Sequence, residues 1–138
     1  MGLATDGFAL SMPSILRPMT LSDSSKWVSL PVCSLNAIDD GRWAEKVIGP
    51  ERIKNTYAFR SVLDAGALLA FGSDWFVAPP VPLEVIYAAI TRQTLDGENP
   101  GGWVPRQKIS MEEALRAYTT DAAYASFEED FKGMLEVG

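Results

Sequence analysis

The chain has 138 residues, 47% apolar and 22% charged, with a formal net charge of −6 and no histidine. That length suits one domain with its own core, and the acidic balance without any Lys/Arg cluster argues against nucleic acid or an anionic membrane surface as partner. The absence of histidine excludes a Ser-His-Asp triad, a Cys-His pair and a His-ligated zinc assembled within one chain.

Residues 1–25 show no apolar period; Pro13, Pro18 and the Ser22-Asp23-Ser24-Ser25 cluster read as loop or frayed terminus. Met1 to Leu16 carries Asp6, lacks a basic start and is interrupted by Pro13, so it is not expected to act as a signal peptide. Asp6 also stands where a myristoylation motif wants Ser or Thr. No apolar run approaches the ~20 residues of a membrane span. Cys33 is the only cysteine, so no intrachain disulfide can form, which fits a reducing compartment, and a cytoplasmic location is expected.

Trp27 to Leu35 is β-prone, and Pro31 predicts a short or broken strand there. Asp39-Asp40-Gly41 signals a turn into a short helix over Arg42 to Val47, ended by Gly49-Pro50. Phe59, Val62 and Leu63 recur at helical spacing within Thr56 to Ala65, with Asn55 or Thr56 as cap and Gly66 at the C′ position. Ala67-Leu68-Leu69-Ala70-Phe71 is a continuous apolar run ending in Gly72, as expected of a strand buried on both faces of a parallel sheet.

A proline-rich loop, Ser73 to Pro82, leads into a helix that starts at Pro82 and runs to about Leu95, with Leu83, Ile86, Tyr87 and Ile90 as its apolar stripe. Asp96 to Ile109 is long for a connection and reads as a rim or lid element. Ser110-Met111-Glu112-Glu113 is a capping box, which predicts a helix with Ala114, Leu115 and Tyr118 inward. A last helical stretch covers about Asp121 to Asp130, and Gly133 breaks it.

The order helix, buried strand, loop, helix is a βα-type unit, whose functional residues lie at the carboxyl edge of the strand. Here that edge is Gly72-Ser73-Asp74-Trp75. Asp74 is therefore the leading candidate: a carboxylate placed there can hold a metal or take a proton, although the same residue can simply cap a loop. Ser73 has neither a nucleophile elbow around it nor a histidine to activate it. Cys33, without a histidine partner, reads as a small buried apolar residue. The acidic groups Asp39-Asp40, Glu112-Glu113 and Glu128-Glu129-Asp130 lack EF-hand spacing and read as solvated helix faces. Trp75 and Trp103 flank the proposed mouth as pocket candidates, whereas core packing suffices for Trp27 and Trp43.

Several segments, taken together and in unbroken order over about residues 37–138, resemble amidohydrolase family 3 of the amidohydrolase superfamily. Ala37-Ile-Asp-Asp-Gly-Arg-Trp-Ala-Glu-Lys46 resembles the stretch after that family's seventh barrel strand, and Thr56-Tyr-Ala-Phe-Arg-Ser-Val-Leu-Asp-Ala-Gly66 the helix that follows. Leu69-Ala-Phe-Gly-Ser-Asp-Trp75 resembles the eighth strand with its catalytic Asp. Ile109-Ser-Met-Glu-Glu-Ala-Leu-Arg-Ala-Tyr-Thr119 and Ala122-Ala-Tyr-Ala-Ser-Phe-Glu-Glu129 resemble the closing helices, and Lys132-Gly-Met-Leu-Glu-Val-Gly138 the turn toward a small β-sandwich.

The resemblance implies an α/β, helix-rich chain forming the last strands and helices of a (β/α)8 TIM barrel. It further implies a metal-dependent hydrolase of amide-type C–N bonds in small molecules, with zinc or a similar divalent ion as cofactor. Asp74 would then be both catalytic carboxylate and metal ligand. A complete barrel needs about 250 residues, and the family's metal-binding histidines match nothing in this chain. Asn36 stands where the family has a histidine, and Phe76 where it has a proline.

The expectation is therefore an unplaced N-terminal segment at 1–30, open to disorder, followed by a barrel fragment at 31–138 that is inactive alone. Its partner would be a missing barrel portion or further copies of itself. The alternative is a non-catalytic oligomerising or partner-binding module derived from the barrel end.

Overall fold

The computed structural model describes the backbone of residues 28–29 and the whole of residues 39–137. The N-terminal segment, Trp27, Cys33, Asn36 and most of the stretch expected as a broken strand lie outside these residues. What is described of that stretch is a strand, β1, Val28–Ser29. It pairs in parallel with β2, Leu68–Leu69, Val28 opposite Leu68 and Ser29 opposite Leu69. Parallel strands cannot be joined by a tight turn, and here the crossover carries helices, as a βαβ unit requires.

Within the crossover, helix α1 spans Ala44–Arg52. The expected stop at Gly49-Pro50 is a kink instead. Gly49 leaves the helical region (φ 82°, ψ 165°) and Pro50 opens a second helical piece. A proline in a first turn sacrifices no hydrogen bond, so the chain bends there without ending. A 3-10 turn, Ile53–Asn55, follows. Helix α2, Phe59–Asp64, starts later than Asn55 or Thr56 would allow, and Ala58 precedes it without a side-chain cap. Its end matches expectation. Gly66 (φ 81°) donates to Leu63 O at 2.9 Å and Ala67 to Val62 O at 3.2 Å, the paired bonds of a Schellman stop.

After β2 the chain remains buried through Leu69, Ala70 and Phe71. Helix α3, Pro82–Thr91, begins on its proline as expected but ends before Leu95, because Arg92 turns left-handed (φ 59°) and donates its N–H to Ala88 O at 2.9 Å. A second 3-10 turn, Pro105–Gln107, leads to α4, Met111–Tyr118, which carries the expected capping box in full. The Glu113 N–H donates to Ser110 Oγ at 3.1 Å, and the Ser110 N–H donates to Glu113 Oε2 at 2.7 Å. Helix α5, Thr120–Ala125, stops short of the expected Asp130.

The core joins Phe59 of α2, Leu69 and Phe71 of the β2 segment, and the facing sides of α3 and α4. Those sides keep Ile86 and Ala114 of the expected stripes, with Ile90 and Tyr118 packed against them, and differ elsewhere. On α3 the buried residues are Val85, Ile86, Ala88 and Ala89, while Leu83 faces solvent. On α4 they are Ala114 and Ala117, while Leu115 is exposed. Alanines at the contact let the two backbones approach closely, so the small residues rather than the leucines face the neighbour. Trp43, expected in the core, is exposed. Among the described residues two strands pair and no barrel closes.

Candidate functional site

The β2 segment runs apolar and buried to Phe71, whose N–H donates to Ala117 O at 2.7 Å. The chain then emerges, and Asp74 lies at the carboxyl end of this parallel strand, on the surface. Its backbone is left-handed (φ 53°), and its carbonyl accepts the Val77 N–H at 2.7 Å, so the carboxylate stands on a tight turn. Trp75 beside it is 66% exposed, its ring edge-on to Phe76 at 6.2 Å.

Trp103 has different surroundings. It is 7% exposed and sits in a second apolar cluster with Ala44 and Ile53, edge-on to Tyr57 at 5.9 Å. Its backbone is held by Arg92. The Trp103 N–H donates to Arg92 O at 2.7 Å, and Arg92 Nε donates to Trp103 O at 2.9 Å. The segment 96–109, expected as a rim or lid, is tied down along its length. Arg42 reaches Asp96 at 2.8 Å and Glu98 at 3.0 Å. Buried Gln107 accepts the Ser61 N–H at 3.0 Å and donates to Ser61 Oγ at 2.7 Å. Arg106 donates to Lys54 O.

The acidic groups are engaged with neighbours instead of converging on one point. Asp39 lies 3.4 Å from Arg42, and Asp40 accepts the Tyr57 hydroxyl at 2.6 Å. Glu113, besides its cap, pairs with Arg60 at 2.8 Å, and Glu128 pairs with Lys132 at 2.7 Å. The Ser110 N–H, helped by Arg60, holds the Glu113 carboxyl below its ordinary value. The Thr94 hydroxyl and Arg42 take Asp96 down to about 2. Among the described residues no group of three or more His, Cys, Asp or Glu side chains comes close enough to hold a metal ion.

Sequence reasoning missed Arg92. The expected helix to about Leu95 would place this arginine inside it with no role, yet Arg92 ends the helix, turns inward and is fully buried. Its guanidinium lies 5.4 Å from the Phe59 ring centroid and 5.3 Å from that of Trp103. Nothing in the local pattern signals that inversion.

A parallel βαβ segment with a carboxylate at its strand end is what the end of a barrel enzyme presents, and comparison with known proteins agrees. The sequence model of the amidohydrolase family matches residues 25–138, so the chain belongs to that family. It is similar to Protein LONG AFTER FAR-RED 3 of Arabidopsis thaliana, 40% identical over 102 residues, covering 73% of this chain and 17% of that protein. It is also similar to N-substituted formamide deformylase of Arthrobacter pascens, 33% identical over 82 residues, covering 59% of this chain and 15% of that protein. In structure it resembles an uncharacterized metal-dependent hydrolase from Pyrococcus furiosus, with TM-score 0.61 and 29% identity, over 82% of this chain and 21% of that one.

The chain thus spans about a sixth to a fifth of the length of these relatives. The donor set does not fit a metal centre by itself, because among the described residues Asp74 belongs to no group of three or more ligand-type side chains and the sequence holds no histidine. No helix among the described residues is long and apolar enough to cross a membrane.

Proposed function

We propose that this chain is the end portion of a metal-dependent amidohydrolase acting on amide-type C–N bonds of small molecules, and that it is inactive alone. The observation that carries this reading is Asp74, a carboxylate on a tight turn at the carboxyl end of a parallel strand, inside a sequence that belongs to the amidohydrolase family. The deformylase relative, which acts on N-substituted formamides, supplies the substrate class to test first. In this reading residues 31–138 are the barrel fragment, Asp74 is one ligand and the proton-handling carboxylate of a zinc-type centre, and Trp75 lines its mouth. The remaining ligands would have to come from polypeptide other than these residues.

The test is elemental analysis of the purified chain, followed by an assay of formamide hydrolysis with added zinc, manganese or iron. Less than a tenth of an equivalent of metal and no turnover are expected. Stoichiometric metal with turnover by the purified chain would overturn the inactivity, and turnover that survives Asp74→Asn would overturn the role of that carboxylate as well.

A second reading, an oligomerising or partner-binding module, draws on the exposed apolar run Trp75, Phe76 and Val77, with Leu83 further along. Under it the chain sediments as a stable oligomer, and Phe76→Ser returns it to the monomer. Sedimentation velocity reads both outcomes.

A further inference from the structure

Three Asp-Gly pairs occur in the sequence, Asp6-Gly7, Asp40-Gly41 and Asp96-Gly97, and the last two lie among the described residues. An aspartate before glycine is chemically fragile, because glycine has no Cβ to shield its backbone nitrogen from the preceding carboxyl group. That nitrogen can bond to the carboxyl carbon, Cγ, whose bond to the hydroxyl oxygen breaks. The amide proton and the hydroxyl leave together as water, and a cyclic imide remains. Water then opens the imide at either carbonyl. Opening at the backbone carbonyl leaves the chain running through the side chain, an isoaspartate of unchanged mass with a longer backbone.

Asp96-Gly97 is open to this reaction and restrained from it. The Asp96 side chain is 53% exposed, so water reaches it, and Gly97 follows in a left-handed turn (φ 78°). The reaction needs a protonated carboxyl group swung onto a released amide. Here the Gly97 N–H donates to Thr94 O at 2.9 Å. One carboxylate oxygen accepts Arg42 Nη2 at 2.8 Å, and the other accepts the Glu98 N–H at 3.4 Å. The Thr94 hydroxyl and Arg42 also favour the ionised carboxylate, the poorer target for attack. Asp40, before Gly41, is engaged in the same manner and accepts the Tyr57 hydroxyl at 2.6 Å.

We propose that Asp96-Gly97 is a site of isoaspartate formation whose rate Arg42 restrains. The consequence reaches past one residue. Arg42 stands just before α1, whereas Asp96 and Glu98 head the segment 96–109, and their ion pairs tie the two together. An isoaspartate at residue 96 moves the carboxylate and loosens that tie.

The experiment incubates the whole chain at neutral pH and follows isoaspartate by methyl transfer from labelled S-adenosylmethionine with an isoaspartyl methyltransferase. Peptide mapping assigns the label to residues. Isoaspartate at residue 96 should form slowly in the wild type and about threefold faster in Arg42→Gln, the scale of one exposed ion pair. It should be absent there in Asp96→Glu, whose ring would be larger and strained toward opening, and unchanged in Lys132→Gln, which breaks a surface pair elsewhere. In concentrated urea the wild type and Arg42→Gln should share one faster rate. Equal rates in the two folded chains overturn the restraint, as do different rates in urea, and no isoaspartate at residue 96 under any of these conditions overturns the site. Should Arg42→Gln fail to fold, high salt screens the same contact in the wild type, and a rate that salt leaves unchanged overturns the restraint.

Discussion

Phe71 and Phe76 stand five residues apart, the first in the apolar run that continues β2 and the second on the turn beyond it, yet one is 6% exposed and the other 84%. Phe71 lies among α2, α4 and its neighbours in β2, edge-on to Phe59 at 5.3 Å and to Tyr118 at 6.3 Å. Phe76 has left the strand and meets only the rim. Both are apolar aromatics, so composition does not separate them. What separates them is whether a helix crosses the strand at that point, and that is decided by elements far away in sequence.

The comparison breaks most sharply under truncation. Phe71→Ala should cost about 3–5 kcal/mol of stability, since it removes a buried ring from a packed interior. Phe76→Ala should stay within about 0.5 kcal/mol. Urea denaturation of both variants measures the difference, and equal losses would mean that the rim is packed as tightly as the core.

Gly102→Ala comes next, at about 2–4 kcal/mol. Gly102 is left-handed (φ 81°), and an added Cβ would collide with Thr91 O and lie 2.9 Å from Lys108 Cε. Thermal melts should show the loss even though residue 102 belongs to a loop.

Ser110→Ala should cost about 1 kcal/mol by removing the cap of α4. The reciprocal carboxylate gives this cap a pH dependence. Because folding holds Glu113 below its ordinary value of 4.5, its contribution is present above that pH and lost as pH falls through the folded value. The stability difference between wild type and Glu113→Gln should therefore shrink on acidification from about pH 7 to pH 3. A difference that grew would contradict the pairing.

The smallest effect belongs to the surface. Arg42→Gln should leave the melting temperature nearly unchanged and speed hydrogen exchange at the Glu98 amide, which is held within the Asp96 and Thr94 turn. High salt should reproduce part of that change in the wild type, because exposed pairs are screened.

Local devices were legible in the sequence. The Ser110 capping box, the Gly66 stop and the Pro82 start each depend on residues within one turn, so short-range spacing carries them. Asp74 at the strand end followed from the apolar run before it. Helix faces were legible in part: Ile86 and Ala114 are buried as expected and Ile90 and Tyr118 pack on the core, but volume favoured Leu83 and Leu115 where the close contact of α3 with α4 favoured Ala88, Ala89 and Ala117. Arg92 was unreadable for the same reason at greater distance. Its inward turn depends on Tyr57, Phe59 and Trp103, none of which lies within ten residues of it.

The bond from the Phe71 amide to the Ala117 carbonyl has a consequence for self-association. An unpaired strand offers a ladder of amides on which other chains can grow, and an apolar one such as Leu68 to Phe71 is a template for aggregation. Here the amide two residues past the last paired one is already taken by the last turn of a helix, so a strand arriving alongside finds the ladder stopped at Phe71. A helix end thus serves as a molecular full stop, limiting how far this short sheet can be copied from one chain to the next.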